Sequence, residues 1–420
     1  MKFIHTSDLH LGKTYRNSRG AAERYEDFFS MLGQIVTHAL QEKVDFFLIG
    51  GDLFHTGQIL PRTFARTIET LHPLKEAGIP CVAVEGNHDW IHRRDSISWM
   101  EALAQMGYLA LLRPQRQPDG TFLFQEFDAE LGCGGHLRLG EVNLYGVGYL
   151  GSQAGHQVPR ICEAVDTERN ILLFHVGIWT YSPVEIGNMT PEESSPLADV
   201  FDYVALGHGH KPYQVKTAEG RPYAFNPGSP ECVNFGEEAY DKGFYLVSAS
   251  DDGVLNAEFI PTRPRPMHSL KISLDGTNHI DAALERLQEY LTAREDLAAA
   301  PRPLLHLKLQ GKVGFHPFEM NRERIEQLLM PLFDPLHIEI SNQLQLAETA
   351  GETDERLTLS LEQIEEDVLT QLIGNASDFK DQASPLARLA MQLRDGVVQG
   401  LDEDSLLSLL ANHSSRGESK

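Results

Sequence analysis

Five polar segments, each directly after a short apolar stretch, constrain what this chain can fold into. The apolar stretches have the length and flanks of buried β-strands. The residues that follow them are Asp8 and His10, Asp52, Asn87 to Asp89, His175, and His208 and His210. In open α/β sheets, ligands bind at the carboxyl ends of the strands, and neighbouring strands lie about 4.8 Å apart. We therefore expect these side chains to converge on one small site.

The residue types in these segments predict a site for two metal ions. Each motif alone is a weak signal: Asp-x-His arises by chance, Gly51-Asp52 is an ordinary turn, and a single histidine such as His175 is more often a hydrogen-bonded core residue. The conjunction of five segments carries the prediction. Carboxylate, imidazole and amide ligands without thiols suit Mn²⁺, Fe or Zn²⁺ rather than Ca²⁺. The ligand set is too large for one such ion: Asp8, His10, Asp52, Asn87, His175, His208 and His210.

Two metals held about 3.5–4 Å apart can clamp the attacking and leaving oxygens of a phosphoryl displacement. Asp52 is the residue that we expect to bridge them. His88 lies next to a predicted ligand, and the two metals do not need it. We expect His88 to donate a proton to the leaving oxygen or to stabilise charge in the transition state, with Asp89 orienting it.

Strand and helix patterns divide the chain into three parts. Buried strands alternate with helices over residues 1–262, which indicates an α/β layered core. Residues 261–266 hold three prolines in six positions and predict a domain boundary. Residues 267–345 then have the pattern of a small α+β domain. Two apolar helical stripes predict a partner-binding helical segment over 356–412: Leu361, Ile364, Val368 and Leu372, then Leu386, Leu389, Leu393 and Val397.

Composition narrows the class of protein. The formal net charge is 36 − 60 = −24, which argues against a simple nucleic-acid coat protein. The N-terminus is polar by its fifth residue, and no apolar run reaches the roughly 18 residues of a membrane span. Four scattered cysteines argue against a disulfide framework. We expect a cytoplasmic protein with no membrane segment.

The five segments resemble the blocks of the calcineurin-like metallophosphoesterases: Asp-x-His, Gly-Asp, Gly-Asn-His, His and Gly-His-x-His. More narrowly, residues 3–12, 50–55 and 226–231 resemble the SbcD-like double-strand-break repair nuclease family, and the order and lengths are most similar to its YhaO-type bacterial branch. The resemblance covers residues 1 to about 345. It implies a four-layer-type β-sandwich flanked by helices, a small α+β capping domain and a C-terminal helical tail.

The resemblance also implies roles for individual residues. One metal would be held by Asp8, His10, Asp52 and His210, and the other by Asp52, Asn87, His175 and His208. His88 matches the catalytic histidine of the family, and His55 matches a histidine near the substrate phosphate. The implied metal is manganese, and the implied activity is exonuclease or endonuclease cleavage of DNA ends and hairpins. The family implies a homodimer and an SMC-like coiled-coil ATPase bound through the C-terminal helices.

Four residues after Asp89 extend the possible DNA contacts. Arg93 and Arg94 can reach DNA phosphates, although a solvated surface pair is an equally good interpretation. Trp90 and Trp99 can stack on a base, but packing in the core or at its rim is the commoner role of a tryptophan.

Two other functions use the same residues. A small-molecule phosphatase or nucleotide phosphodiesterase would have the same metal site, but it would need neither the added α+β domain nor the helical tail. A non-catalytic scaffold is a third alternative, and the complete ligand set argues against it.

Overall fold

Two β-sheets packed face to face form the centre of the protein in a computed structural model. The model describes residues 1–15, 18–90, 96–182, 186–250, 254–347, 361–374, 382–398, 401–402 and 405–409. The strands are β1 (Lys2–Thr6), β2 (Phe46–Ile49), β3 (Cys81–Ala83), β4 (Ala110–Leu112), β5 (Gln115–Arg116), β6 (Phe122–Leu123), β7 (Cys133–Gly134), β8 (His136–Leu139), β9 (Val142–Val147), β10 (Asn170–Phe174), β11 (Gly177–Ile178), β12 (Asn188–Met189), β13 (Tyr203–Leu206), β14 (Tyr213–Lys216), β15 (Pro222–Asn226), β16 (Gly243–Ala249), β17 (Leu255–Pro261), β18 (Met267–Ser273), β19 (Leu304–Val313) and β20 (His337–Leu346). The helices are α1 (Ala21–Glu42), α2 (Pro61–Glu76), α3 (Trp99–Gln105), α4 (Ala154–Glu163), α5 (Pro191–Ser194), α6 (Leu197–Val200), α7 (Ile280–Thr292), α8 (Glu295–Ala298), α9 (Arg322–Phe333), α10 (Leu361–Gly374) and α11 (Ala383–Val398).

The strand order places the carboxyl ends of the central strands at one edge. The first sheet runs β17-β16-β1-β2-β3-β4-β7, and the second runs β14-β15-β13-β10-β9-β8. Strands β1 to β4 pair in parallel, as do β9, β10, β13 and β15. Antiparallel strands β16 and β17 extend the first sheet, and β14 and β8 close the edges of the second.

The side chains of each strand point alternately to the two faces of its sheet, so that the two sheets pack on each other and on an outer layer of helices on each side. Phe3 and Leu48 of the first sheet share a buried cluster with Leu173 and Tyr203 of the second. The intervening residues point outward, as expected for the two-residue period of a strand. Outward residues of the first sheet pack on α1, α2 and α3, and those of the second on α4 and α6. The predicted four-layer α/β sandwich flanked by helices is therefore confirmed.

The α+β region after the proline-rich linker contains a three-stranded sheet in the order β18-β19-β20. Met267 and Leu304 of this sheet are buried with Cys232 and Leu336. By its contacts the chain forms two compact units: residues 1–275, 281–311 and 320–344 in one, and 276–280, 312–319 and the described part of 345–420 in the other. Separate folding of 1–262, 267–345 and 356–412 stays a prediction.

The C-terminal unit contains a pair of helices. Helices α10 and α11 run antiparallel: Gly374 lies against Ala383, and Glu366 pairs with Arg388 at 3.2 Å. The exposed side of the pair includes Leu372. None of the described helices is long and apolar enough to cross a lipid bilayer.

A network of charged side chains around Arg24 of α1 connects this helix to the proline-rich linker. Arg24 is 1% exposed, and its guanidinium lies 3.0 Å from Glu231 and 3.2 Å from Asp27. Arg265 of the linker binds the same Asp27 through two nitrogens, at 2.6 and 2.7 Å, and its amide donates to Glu231. The guanidinium of Arg24 also lies 4.6 Å from the centroid of the Phe28 ring. The two arginines and two carboxylates therefore fix the linker against the first helix.

We expect Arg24→Ala to lower the free energy of unfolding by about 3–5 kcal/mol, because it leaves Glu231 buried without its main cation. Arg66→Ala is the matched control, since its side chain is 44% exposed and its ion pairs are worth about 1 kcal/mol or less. Urea denaturation of both variants measures the difference. Equal losses for the two variants would contradict the stabilising role of the buried network.

Candidate metal centre

Five strand ends meet at one edge of the sandwich. Asp8 and His10 follow β1, Asp52 follows β2, Asn87 and His88 follow β3, His175 follows β10, and His208 and His210 follow β13. Three overlapping groups have ligand atoms within 4.8 Å of one another: Asp8, His10 and His210; Asp8, Asp52 and His175; and His10, His55 and His88. The structure thus brings together the residues that the sequence motifs single out.

Asp52 lies at the centre of this arrangement. Its Oδ2 atom is 3.6 Å from His175 Nε2 and 3.9 Å from His10 Nε2. Its Oδ1 atom accepts a hydrogen bond of 2.8 Å from the amide of His88. One carboxylate oxygen therefore faces histidines from both sheets, as a bridging ligand would require.

Hydrogen bonds determine which histidine nitrogens remain for a metal. His175 Nδ1 donates to the carbonyl of Gly50 at 2.7 Å, which leaves Nε2 toward Asp52. His208 Nε2 donates to the carbonyl of Ile186 at 2.7 Å, and its Nδ1 lies 2.9 Å from Asn87 Oδ1. Such partners on the far nitrogen are typical of metal-binding histidines. The donor set and its orientation fit divalent transition metals.

The backbone is strained where it presents these side chains. Asp8, His10, Asp52 and His208 have φ values of 54°, 46°, 51° and 76°, in the left-handed region that non-glycine residues rarely adopt. Gly86 lies so close to the Asp52 side chain that a Cβ atom there would collide with it. Close backbone approach and positive φ thus bring the strand ends within ligand distance.

Buried like charges make the site favourable for cations. Asp8, Asp52 and Asp89 are each 3% exposed or less. Burial and, as the second largest cause, the nearby Asp52 carboxylate raise the pKa of Asp89 to about 7. Burial alone would lower the pKa of His175, but Asp52 raises it to about 9. Two divalent cations would neutralise these carboxylates.

The structure corrects the role expected for Asp89. Its carboxylate accepts hydrogen bonds from the amides of Leu53, Phe54 and Gly86, at 3.2, 2.9 and 2.9 Å. It therefore ties together the loops after β2 and β3 instead of orienting His88. The imidazole of His88 is oriented by the carbonyl of His55, to which its Nδ1 donates at 2.7 Å.

Sequence reasoning missed a buried glutamate behind His210. Glu237 Oε1 accepts from His210 Nδ1 at 2.8 Å, and its Oε2 accepts from Lys242 Nζ at 2.6 Å. Burial would raise the pKa of Glu237, but His210 and Lys242 lower it to about 2. Glu237 belongs to no motif, and only the fold shows its contact.

Of the expected substrate contacts, His55 lies beside the centre, with its Nδ1 3.4 Å from His10 Nδ1. Arg93 and Arg94 lie outside the described residues.

Comparisons with known proteins show the family of this chain. A family model described as calcineurin-like phosphoesterase matches residues 1–212, a range that contains all of the predicted ligands. The DNA double-strand break repair protein Mre11 of Saccharolobus solfataricus is 25% identical over 346 residues, 80% of this chain and 80% of that protein. Mre11 of Methanopyrus kandleri is 27% identical over 340 residues, 78% of this chain and 72% of that protein. A solved dimetal phosphatase from Danio rerio aligns with 63% of this chain and 99% of its own, at 13% identity and a TM-score of 0.38.

We expect Glu237→Gln to weaken Mn²⁺ binding about 10- to 100-fold, because removing the partner of a metal-binding histidine has effects of that size. Isothermal titration of chelator-treated protein with Mn²⁺ measures the change. Glu219→Gln, an exchange of an exposed glutamate, is the control and should bind Mn²⁺ like the wild type. Equal affinity of the Glu237 variant and the wild type would contradict the orienting role.

Proposed function

Because this chain belongs to the calcineurin-like phosphoesterase family, we propose that it is a two-metal nuclease that hydrolyses phosphodiester bonds of DNA in repair. The observation that carries the proposal is the convergence of ligands from five strand ends on one site around Asp8 and Asp52. The repair proteins named Mre11, which match over about 80% of the chain, support DNA as the substrate.

We assign Asp8, His10, Asp52 and His210 to one metal, and Asp52, Asn87, His175 and His208 to the other. The carboxylate, imidazole and amide donors suit Mn²⁺, Fe or Zn²⁺, and manganese is the proposed metal because the resemblance to the repair nucleases implies it. When bound, two such ions neutralise charge on the phosphate and lower the pKa of a coordinated water.

His88 is the proposed proton donor to the leaving oxygen. Its Nδ1 donates to the carbonyl of His55 and therefore keeps its hydrogen. The proton that the imidazolium can release is then the one on Nε2, on the opposite side of the ring. His55, beside His10, would contact the phosphate that is hydrolysed.

A cationic cavity next to the centre supports a polyanionic substrate. It has a volume of about 390 Å³, and its lining includes two lysines, Lys13 and Lys308, and one carboxylate, Glu339. Lys13 belongs to the loop after β1, where its amide donates to the carbonyl of His10 at 3.1 Å. Local positive charge of this kind can attract DNA despite a net charge of −24.

The remaining parts of the proposal concern reaction type and assembly. We assign exonuclease or endonuclease action on DNA ends and hairpins, in a homodimer, in the cytoplasm. The C-terminal helices would dock on a coiled-coil segment of an SMC-like ATPase. Leu372 and Val397 support this docking, since their side chains are 62% and 63% exposed and available to a partner helix.

The purified protein with Mn²⁺ should degrade linear or hairpin DNA, and EDTA should stop the reaction. His88→Ala should lower the rate by about 10²–10⁴, the usual effect of losing a general acid, while metal content stays at the wild-type level. Asp52→Ala should lose metal, because its carboxylate serves both ions. Rate assays and metal analysis of the two variants separate these roles.

Rapid hydrolysis of p-nitrophenyl phosphate or a nucleotide with intact DNA, with and without the ATPase, would contradict the nuclease proposal. It would favour the small-molecule phosphatase. Equal metal loss in both variants would show that the roles of His88 and Asp52 are misassigned.

The docking of the tail is tested by Leu372→Asp with Val397→Asp in the full-length chain. Placing charges on this exposed apolar surface should abolish co-purification with the ATPase and leave metal content unchanged. Leu60→Asp is the control, since Leu60 is 57% exposed and lies outside the tail. Undiminished co-purification of the double variant would show that the partner binds elsewhere.

A further inference from the structure

Two aromatic rings lead from the metal centre to solvent. The ring centroid of Tyr149 lies 5.2 Å from that of His208 and 6.1 Å from that of His175. The ring of Trp90 meets Tyr149 edge to face, at 6.1 Å and 61°. Trp90 is 61% exposed. The exposed ring of Trp90 is therefore connected to the predicted ligands through one other aromatic ring, that of Tyr149.

Close contacts hold the ring of Tyr149 and the backbone of Trp90. The amide of Tyr149 donates to the carbonyl of Glu85 at 3.0 Å, and Gly187, with φ of 90°, packs against the Tyr149 ring. The carbonyl of Trp90 lies against Gly57, where any side chain would collide with it. A residue whose backbone is held in this way loses less conformational entropy when it binds a ligand.

Single exposed aromatic residues are common on proteins and need no function. Trp99 shows the ordinary structural role: its ring lies 5.2 Å from Phe64 and packs against the core. Trp90 differs in two respects. It directly follows the segment Asn87 to Asp89, which contains the proposed proton donor His88, and most of its ring is exposed to solvent. Its position and exposure therefore point to a flat ligand at the metal centre.

Nucleobases are the flat groups that a DNA strand carries beside each phosphate. Stacking of a base on an aromatic side chain is worth about 1–3 kcal/mol and tolerates any sequence. Inside a duplex both faces of a base are covered by its neighbours. A base that stacks on Trp90 must therefore be terminal or unpaired.

We propose that Trp90, supported by Tyr149, stacks on the nucleobase next to the phosphodiester that is hydrolysed. The site thereby selects DNA whose strand is unpaired at the point of cleavage. This inference rests on the proposed function, since the metal centre defines which base is adjacent.

The test measures binding in EDTA, so that no strand is cut. The Trp99→Phe and Trp179→Phe double variant leaves Trp90 as the single tryptophan, and we expect an eight-nucleotide thymidine strand to quench its fluorescence. A blunt duplex of equal length should quench it far less. In fluorescence anisotropy, Trp90→Leu should raise the Kd for the single strand about 5- to 140-fold, which corresponds to the energy of one stacked base. Trp90→Phe should retain most of the affinity.

Trp179→Leu is the matched control, since Trp179 is 51% exposed and, within the part of the chain that the structure describes, makes no ring contact to a predicted ligand. The proposal is overturned if Trp90→Leu binds the single strand like the wild type, if Trp179→Leu has the same effect, or if the duplex binds equally well. It is also overturned if adenosine monophosphate quenches Trp90 and the strand does not, which would indicate a free-nucleotide site.

Failure of this inference is distinguishable from failure of the nuclease proposal. Trp90-dependent binding of a strand that Mn²⁺-loaded enzyme never cleaves would contradict the nuclease alone. Cleavage of DNA together with wild-type binding by Trp90→Leu would contradict the stacking alone.

Discussion

The carboxylate of Asp52, buried between histidines of two different sheets, is the constraint on which the rest of the site depends. A charge with 2% exposure is unfavourable unless cations or hydrogen bonds compensate it. Here His175 and His10 approach one oxygen, and the amide of His88 binds the other. The paired sheets bring these groups together because their parallel strands end at the same edge.

Electrostatics connect this constraint to the chemistry. Without metal, the high pKa of His175 indicates that an imidazolium compensates the Asp52 charge. Bound divalent ions would take over that role and add the surplus positive charge that a phosphate needs. The same pairing of buried charges continues behind His210, where Glu237 pairs with His210 on one side and with Lys242 on the other. The fold thus holds its buried carboxylates in an arrangement in which divalent cations can replace protons as the compensating charge.

Local patterns predicted the elements that place the ligands. Strands β1 and β13 coincide with two of the apolar stretches that precede the predicted ligands, because short apolar runs that end at polar residues permit few other structures. Edge strands such as β8 and β14 were not predicted, since half-exposed strands lack a continuous apolar run. The central strands of the fold could therefore be read from the sequence, but these two edge strands could not.

The candidate site likewise has residues that the sequence predicts and contacts that it does not. Its ligands follow strands and form recognisable motifs, so the sequence indicated each of them. The bonds of Asp89 to Leu53 and Phe54, and the contact of Glu237 with His210, join residues that are distant in the chain and carry no local pattern. The partners of a buried charge depend on the folded packing, and this is why the expected orientation of His88 by Asp89 was wrong.

Anomalous diffraction from crystals grown with Mn²⁺ tests the two-metal centre most directly. The account predicts two peaks flanking the Asp52 carboxylate, one beside His10 and His210 and the other beside His175, His208 and Asn87. A single peak, or a peak held instead by His10, His55 and His88, would contradict it.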